Sequence, residues 1–137
     1  MQHIHHMFNF WAIFVSALVL WILGAFWFSP ALFATPWSTI VGRKMGDKPK
    51  GVLHGMVSSF IGGLIQALVL AHIVVWAGAT GFGHGAFLGF LAWFGFIAAV
   101  LYPQRIYEGR PFAYFAIVAG YWLVGLVIVG GILAIWR

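Results

Sequence analysis

Four long apolar runs, separated by short polar turns, constrain this chain more than any other feature, because each run is long enough to cross a bilayer. The hydrocarbon core of a membrane is about 30 Å thick and takes roughly 20 apolar residues per helix. The runs cover residues 8–28, 52–77, 83–102 and 112–136. They leave almost nothing of the 137 residues for a separate aqueous domain. Only 7% of the chain is charged and 64% is apolar, whereas a soluble domain is about 25% charged. A closed β-barrel also satisfies its backbone in lipid, but these runs lack the period-two alternation that a barrel strand requires. The expected fold is therefore all-α, a polytopic bundle of four transmembrane helices in a single domain spanning residues 1–137.

The cations orient this bundle. Arg43, Lys44, Lys48 and Lys50 lie between the first two runs, Arg105 and Arg110 lie between the last two, and only Arg137 falls elsewhere. Lys and Arg near helix ends stay cytoplasmic, so both basic turns are expected inside and both termini on the periplasmic side of a bacterial inner membrane. The first run is too long for the apolar segment of a secretory signal and has no Lys or Arg before it, so it reads as a retained helix. The charge of +5 then serves topology and contact with lipid headgroups. With no recognition domain beside it, a nucleic-acid partner is not expected. The absence of Cys excludes disulfides and thiolate chemistry.

Prolines punctuate the chain. Ser29-Pro30 is expected to end the first helix and Pro103 the third, since proline cannot donate a backbone hydrogen bond and disfavours helix before it. Thr35-Pro36-Trp37 resembles an N-cap followed by proline in the first turn. It predicts an interfacial helix over 36–42 with Trp37, Ile40 and Val41 on one face. Pro111 opens the fourth run in the same way. The two hairpins share little sequence beyond Ala17 to Leu20 against Ala67 to Leu70, so duplication is not inferred.

Candidate packing and functional residues are few. Gly81, Gly85 and Gly89 recur every four residues, and Gly55, Ser59, Gly62 and Gln66 form a second stripe of small or polar residues. Both suit close approach of helix backbones, within the chain or between protomers. Trp11, Trp27, Trp37, Trp76 and Trp136 fall near the interfaces, where indoles anchor helices. Trp21, Trp93 and Trp122 lie deeper, where each N–H needs a partner such as Gln66 or Ser16. The polar candidates inside the spans are Asn9, Ser16, Gln66 and His72, and no Asp, Glu, Lys or Arg falls within any span. That disfavours an ion-coupled antiporter, and no hydroxyl- or amide-lined face marks a pore.

His72, within Ala71-His72-Ile73-Val74-Val75-Trp76, resembles the segment of purple-bacterial light-harvesting β polypeptides in which a histidine ligates bacteriochlorophyll. A neutral imidazole there would ligate such a pigment or haem; an ordinary helix–helix hydrogen bond is the plainer reading. His3, His5 and His6 would attract a transition metal or simply end the chain, and His54 and His84 read as interfacial polar groups. Arg105, Tyr107, Glu108 and Arg110 would bind an anion or cofactor at the surface, as the arginine-rich turns of four-helix membrane glutathione transferases do, or form a loop salt bridge. One aspartate and one glutamate provide no carboxylate pair for acid–base chemistry, so an enzyme is not expected.

Several elements carry a family resemblance over nearly the whole chain: Ala25-Phe26-Trp27-Phe28-Ser29-Pro30 with Leu32-Phe33, the run Leu88 to Phe96, Tyr107-Glu108-Gly109-Arg110-Pro111, and Ala119-Gly120-Tyr121-Trp122. In order and spacing they resemble the small bacterial membrane proteins grouped as domain of unknown function 1761. The resemblance implies four transmembrane helices and no established activity. Phe28 stands where tyrosine is usual, and His72 and the histidine-rich tail are not features of the family. The reading is an integral membrane packing or accessory protein, either a homo-oligomer or a small subunit of a larger photosynthetic or respiratory complex, with bound lipid. The alternatives are a small channel or transporter with a path near Gln66, and a pigment- or haem-binding subunit through His72.

Overall fold

A computed structural model describes residues 9–42 and 51–136. Arg43, Lys44, Lys48, Lys50, the histidines of the tail and Arg137 lie outside the described residues. The chain is all-helical, in the order α1 (Phe10–Trp27), α2 (Ala34–Val41), α3 (Val52–Trp76), α4 (Phe82–Tyr107) and α5 (Phe112–Ile135). Four of these, all but α2, are long and apolar enough to cross a membrane.

Asn9 is the N-cap of α1, its Oδ1 accepting from the backbone N–H of Trp11 at 3.0 Å and of Ala12 at 3.2 Å. At the other end the chain folds back at Ser29-Pro30, where the Ser29 hydroxyl donates to the Phe26 carbonyl at 2.6 Å and the Ala34 N–H to the Ser29 carbonyl at 3.1 Å. The short helix expected over 36–42 starts earlier than proline statistics suggest. Its N-cap is Phe33, without a side-chain cap, so Pro36 occupies the third helical position, where a missing N–H still costs nothing. Its buried residues are Ala34 and Ser38, while Trp37, Ile40 and Val41 are half-buried, with the Trp37 ring edge-on to Phe28 at 5.5 Å.

Pro103 does not close the third span, which continues to Tyr107. A single π-helical turn, Phe94–Ala98, precedes the turn that the proline disturbs, the kind of local adjustment by which membrane helices accommodate proline. The end is set instead at Gly109, whose φ of 70° is a left-handed conformation. There the Arg110 N–H donates to the Arg105 carbonyl at 2.8 Å and the Gly109 N–H to the Ile106 carbonyl at 3.1 Å. These are the two bonds of a Schellman motif. The end of α3 repeats it, with Gly78 at φ 69° and the Ala79 N–H on the Val74 carbonyl at 3.1 Å.

Half of the most apolar window of α5 is buried inside the protein, against 28% for α1 and α3 and 17% for α4. The last helix is therefore the axis on which the others pack. Lipid tails are as apolar as leucine, so contact between such helices depends on close approach of backbones, and the core is accordingly rich in alanine: Ala12, Ala17, Ala67, Ala71 and Ala134, with Leu20, Leu70, Val74 and Val129 between them. The tightest seam joins α4 to α5. A Cβ placed on Gly85 would overlap the Gly130 carbonyl and the Ala134 methyl, and one on Gly89 would overlap the Leu126 carbonyl. Along this antiparallel seam the residues of α4 on the α5 side are Gly85, Gly89, Trp93 and Ala98, followed by the exposed Tyr102, whose ring is edge-on to Phe115 at 5.4 Å. The five-residue step from Trp93 to Ala98 falls on the π turn.

Candidate functional site

Three aromatic donors converge on one level of α5. Trp27 of α1 donates its indole N–H to the Ile117 carbonyl at 2.9 Å, and Trp93 of α4 donates to the Ala119 carbonyl at 2.8 Å. Tyr121 sends its hydroxyl the opposite way, to the Leu20 carbonyl at 2.6 Å. A helical carbonyl keeps a second lone pair beyond its own helix bond, so each donor is satisfied without any polar side chain. Trp27 is thus not merely an interfacial anchor, and neither Gln66 nor Ser16 supplies the partner of Trp93. Tyr121 also stacks obliquely on Trp122 at 4.6 Å and meets Phe28 edge-on at 5.8 Å. The family-like segments around Trp27, Trp93 and Tyr121 meet here as one clamp.

The polar residues left over are Ser16 and Gln66. The Ser16 hydroxyl is fully buried on α1 without a hydrogen-bond partner, and the side-chain carbonyl of Gln66 is likewise buried and unpaired. Gln66 borders a groove of about 350 Å³ between α3 and α4, lined otherwise by apolar residues including Val69, Ile73, Phe96 and Ile97 and floored by Leu126. One wall of that groove belongs to the π turn.

His72 is half-buried near the end of α3. Its Nδ1 lies 2.8 Å from the Leu68 carbonyl, and its ring is edge-on to Trp76 at 5.4 Å. A carbonyl only accepts, so Nδ1 is the donor of this bond. Among the described residues no three His, Asp or Glu side chains gather as a metal site.

The two glycine stripes differ. Gly85 and Gly89 are locked in the α4–α5 seam, but Gly81 is the extended N-cap of α4 and does not belong to that stripe. Gly62 faces open space, as does Gly55. The packing contact on α3 is made instead by the buried Gly63, which lies against the backbone of Ala17. Gly130, Gly131 and Gly125 on α5, which receive Gly85, the Phe82 ring and Leu20 respectively, are missed by any pattern that looks for stripes on a single helix. Reading α4 and α5 together, antiparallel, is the signal that would have found Gly130.

At the turn between α4 and α5 the charged side chains fall together. Glu108 pairs with Arg110 at 3.2 Å and accepts from the Gln104 amide at 3.1 Å. Arg110 covers the Tyr114 ring at 4.5 Å, while the Arg105 guanidinium lies 4.6 Å from the Tyr102 ring centre and 5.5 Å from that of Phe112. Such cation–ring contacts hold a guanidinium flat without neutralising it. Tyr107 points away, almost fully exposed.

Compared with known families, the chain matches the model described as Protein of unknown function (DUF1761) over residues 11–134. No curated protein and no solved structure matches it.

Proposed function

The chain belongs to this family of unknown function, and because membership names no reaction, we propose from the geometry that it is a membrane packing component. It associates through α3 with further copies of itself, or with another integral subunit. The observation that supports this reading is the contrast between the two stripes. Gly85 and Gly89 of α4 are spent inside the protomer, whereas Gly55 and Gly62 of α3 face open space and Ser59 is exposed. The Ser59 hydroxyl is returned to the Gly55 carbonyl of its own helix at 2.8 Å, which leaves a smooth, narrow face. Further along the same stripe stands Gln66, whose buried side-chain carbonyl has no hydrogen-bond partner within the protomer.

In this reading the protein lies in the bacterial inner membrane with both termini outside and both basic turns in the cytoplasm, in keeping with the distribution of its cations. The test is the intact mass of the protein extracted into nanodiscs, together with its absorbance spectrum. A discrete oligomer that falls to monomer with Gly62→Ile at unchanged melting temperature supports the reading. A wild-type monomer without partners, or an oligomer indifferent to Gly62→Ile, overturns it. Haem or bacteriochlorophyll bands would transfer the function to His72.

A further inference from the structure

We infer that Arg105 is a binding site for a phosphate group at the membrane surface, one that an anionic phospholipid headgroup occupies and a soluble phosphate would recognise by the same chemistry. The guanidinium sits at the end of the bundle where α4 turns into α5, held between Tyr102 and Phe112. A guanidinium offers five N–H donors and no acceptor. Among the described residues no carboxylate comes within ion-pair distance of it: both oxygens of Glu108 are engaged, one by Arg110 at 3.2 Å and the other by Gln104 at 3.1 Å. Among the described residues the side chain of Arg105 makes one hydrogen bond, a long one from Nη1 to the Arg110 carbonyl at 3.3 Å, and its Nε–H is buried without an acceptor there.

A half-buried cation with an unsatisfied N–H, fixed by two rings, is prepared for an anion that accepts from two adjacent N–H groups. Phosphate oxygens meet that requirement. The position also matches the depth of headgroups, since Arg105 stands at the terminus of a membrane-length helix and on aromatic residues that favour the interface. Arg110 has its own carboxylate and is not part of the site. Nothing in this assignment depends on α3 being an interface.

The full chain in dodecyl maltoside, given an equal mixture of phosphatidylglycerol and phosphatidylcholine, tests it by native mass spectrometry. The wild type should retain phosphatidylglycerol about fivefold over phosphatidylcholine, the effect of one interfacial cation. Arg105→Gln should abolish the preference, while Arg137→Gln, which removes the same charge from the chain terminus, should keep it. Circular dichroism checks that each variant remains folded. In a parallel arm, inorganic phosphate that raises the melting temperature of wild type but not of Arg105→Gln supports the site and adds the soluble source. Equal retention of both lipids together with no response to phosphate overturns the inference, as does an unchanged preference in Arg105→Gln. It is also overturned if wild type shows no preference and Asp47→Asn gains one, because Asp47 would then be the occupant.

Discussion

Gly85 and Gly130 face each other so closely across the seam of α4 and α5 that a side chain on either would overlap the carbonyl of the other. Gly62, on α3, faces open space. Gly85→Ile should therefore lower protomer stability by about 3 kcal/mol, at the severe end of overpacking, whereas Gly62→Ile should change it by less than about 0.5 kcal/mol and act on assembly instead. Denaturant titration in mixed micelles reads the first quantity and size-exclusion light scattering the second.

The Tyr121 hydroxyl links α5 to the Leu20 carbonyl of α1. Tyr121→Phe removes only that bond, and a loss of about 1 kcal/mol is expected, since interhelical hydrogen bonds in membranes contribute modestly. A loss several times larger in the same titration would mean that the hydroxyl organises more than one helix pair.

Gln66 carries an unpaired buried carbonyl. Gln66→Leu should raise the unfolding free energy of the isolated protomer by about 1 kcal/mol, because an orphaned acceptor disappears, and should weaken association. If liposome flux is detected with wild type and vanishes in Gln66→Leu while the oligomer keeps its size, the groove beside α4 is a solute path and not a face for a partner.

Gly109 ends α4 in a left-handed conformation. Gly109→Ala should cost about 1 kcal/mol, the penalty of a Cβ in that region, visible as a lower melting temperature. Because the strained turn carries Arg105 and Arg110, retention of anionic lipid should fall with it.

The spans were legible because the length of an apolar run follows directly from bilayer thickness, and no tertiary partner needs to be known to count it. The stripe Gly85–Gly89 was legible as a place of close approach, but its partners Gly130 and Leu126 were not, since the register of two helices is not written in either one alone. Pro103 misled because soluble-protein rules make it a terminator, whereas the chain lengthens one turn upstream and goes on. The acceptors of Trp27 and Trp93 were invisible for a simpler reason: they are backbone carbonyls, which every residue carries. At the basic turn, residue types alone brought Arg105, Glu108 and Arg110 together; that Glu108 serves Arg110 and leaves Arg105 without it is a matter of geometry.

The five-residue step at Phe94–Ala98 has a bearing on how the chain tolerates changes in length. Regular helix advances about 100° per residue, so the wide turn behaves as one residue stored out of phase, keeping Ala98 and Tyr102 on the side that Gly85 and Gly89 already face. Deleting Gly95, whose side faces open space, should return the turn to ordinary helix and preserve the α5 contacts on both sides of it. Deleting a residue between Gly89 and Trp93 would swing everything beyond by a quarter turn and more. The third span thus holds its slack at one address, and a shortened protein that still folds is expected to have lost its residue there.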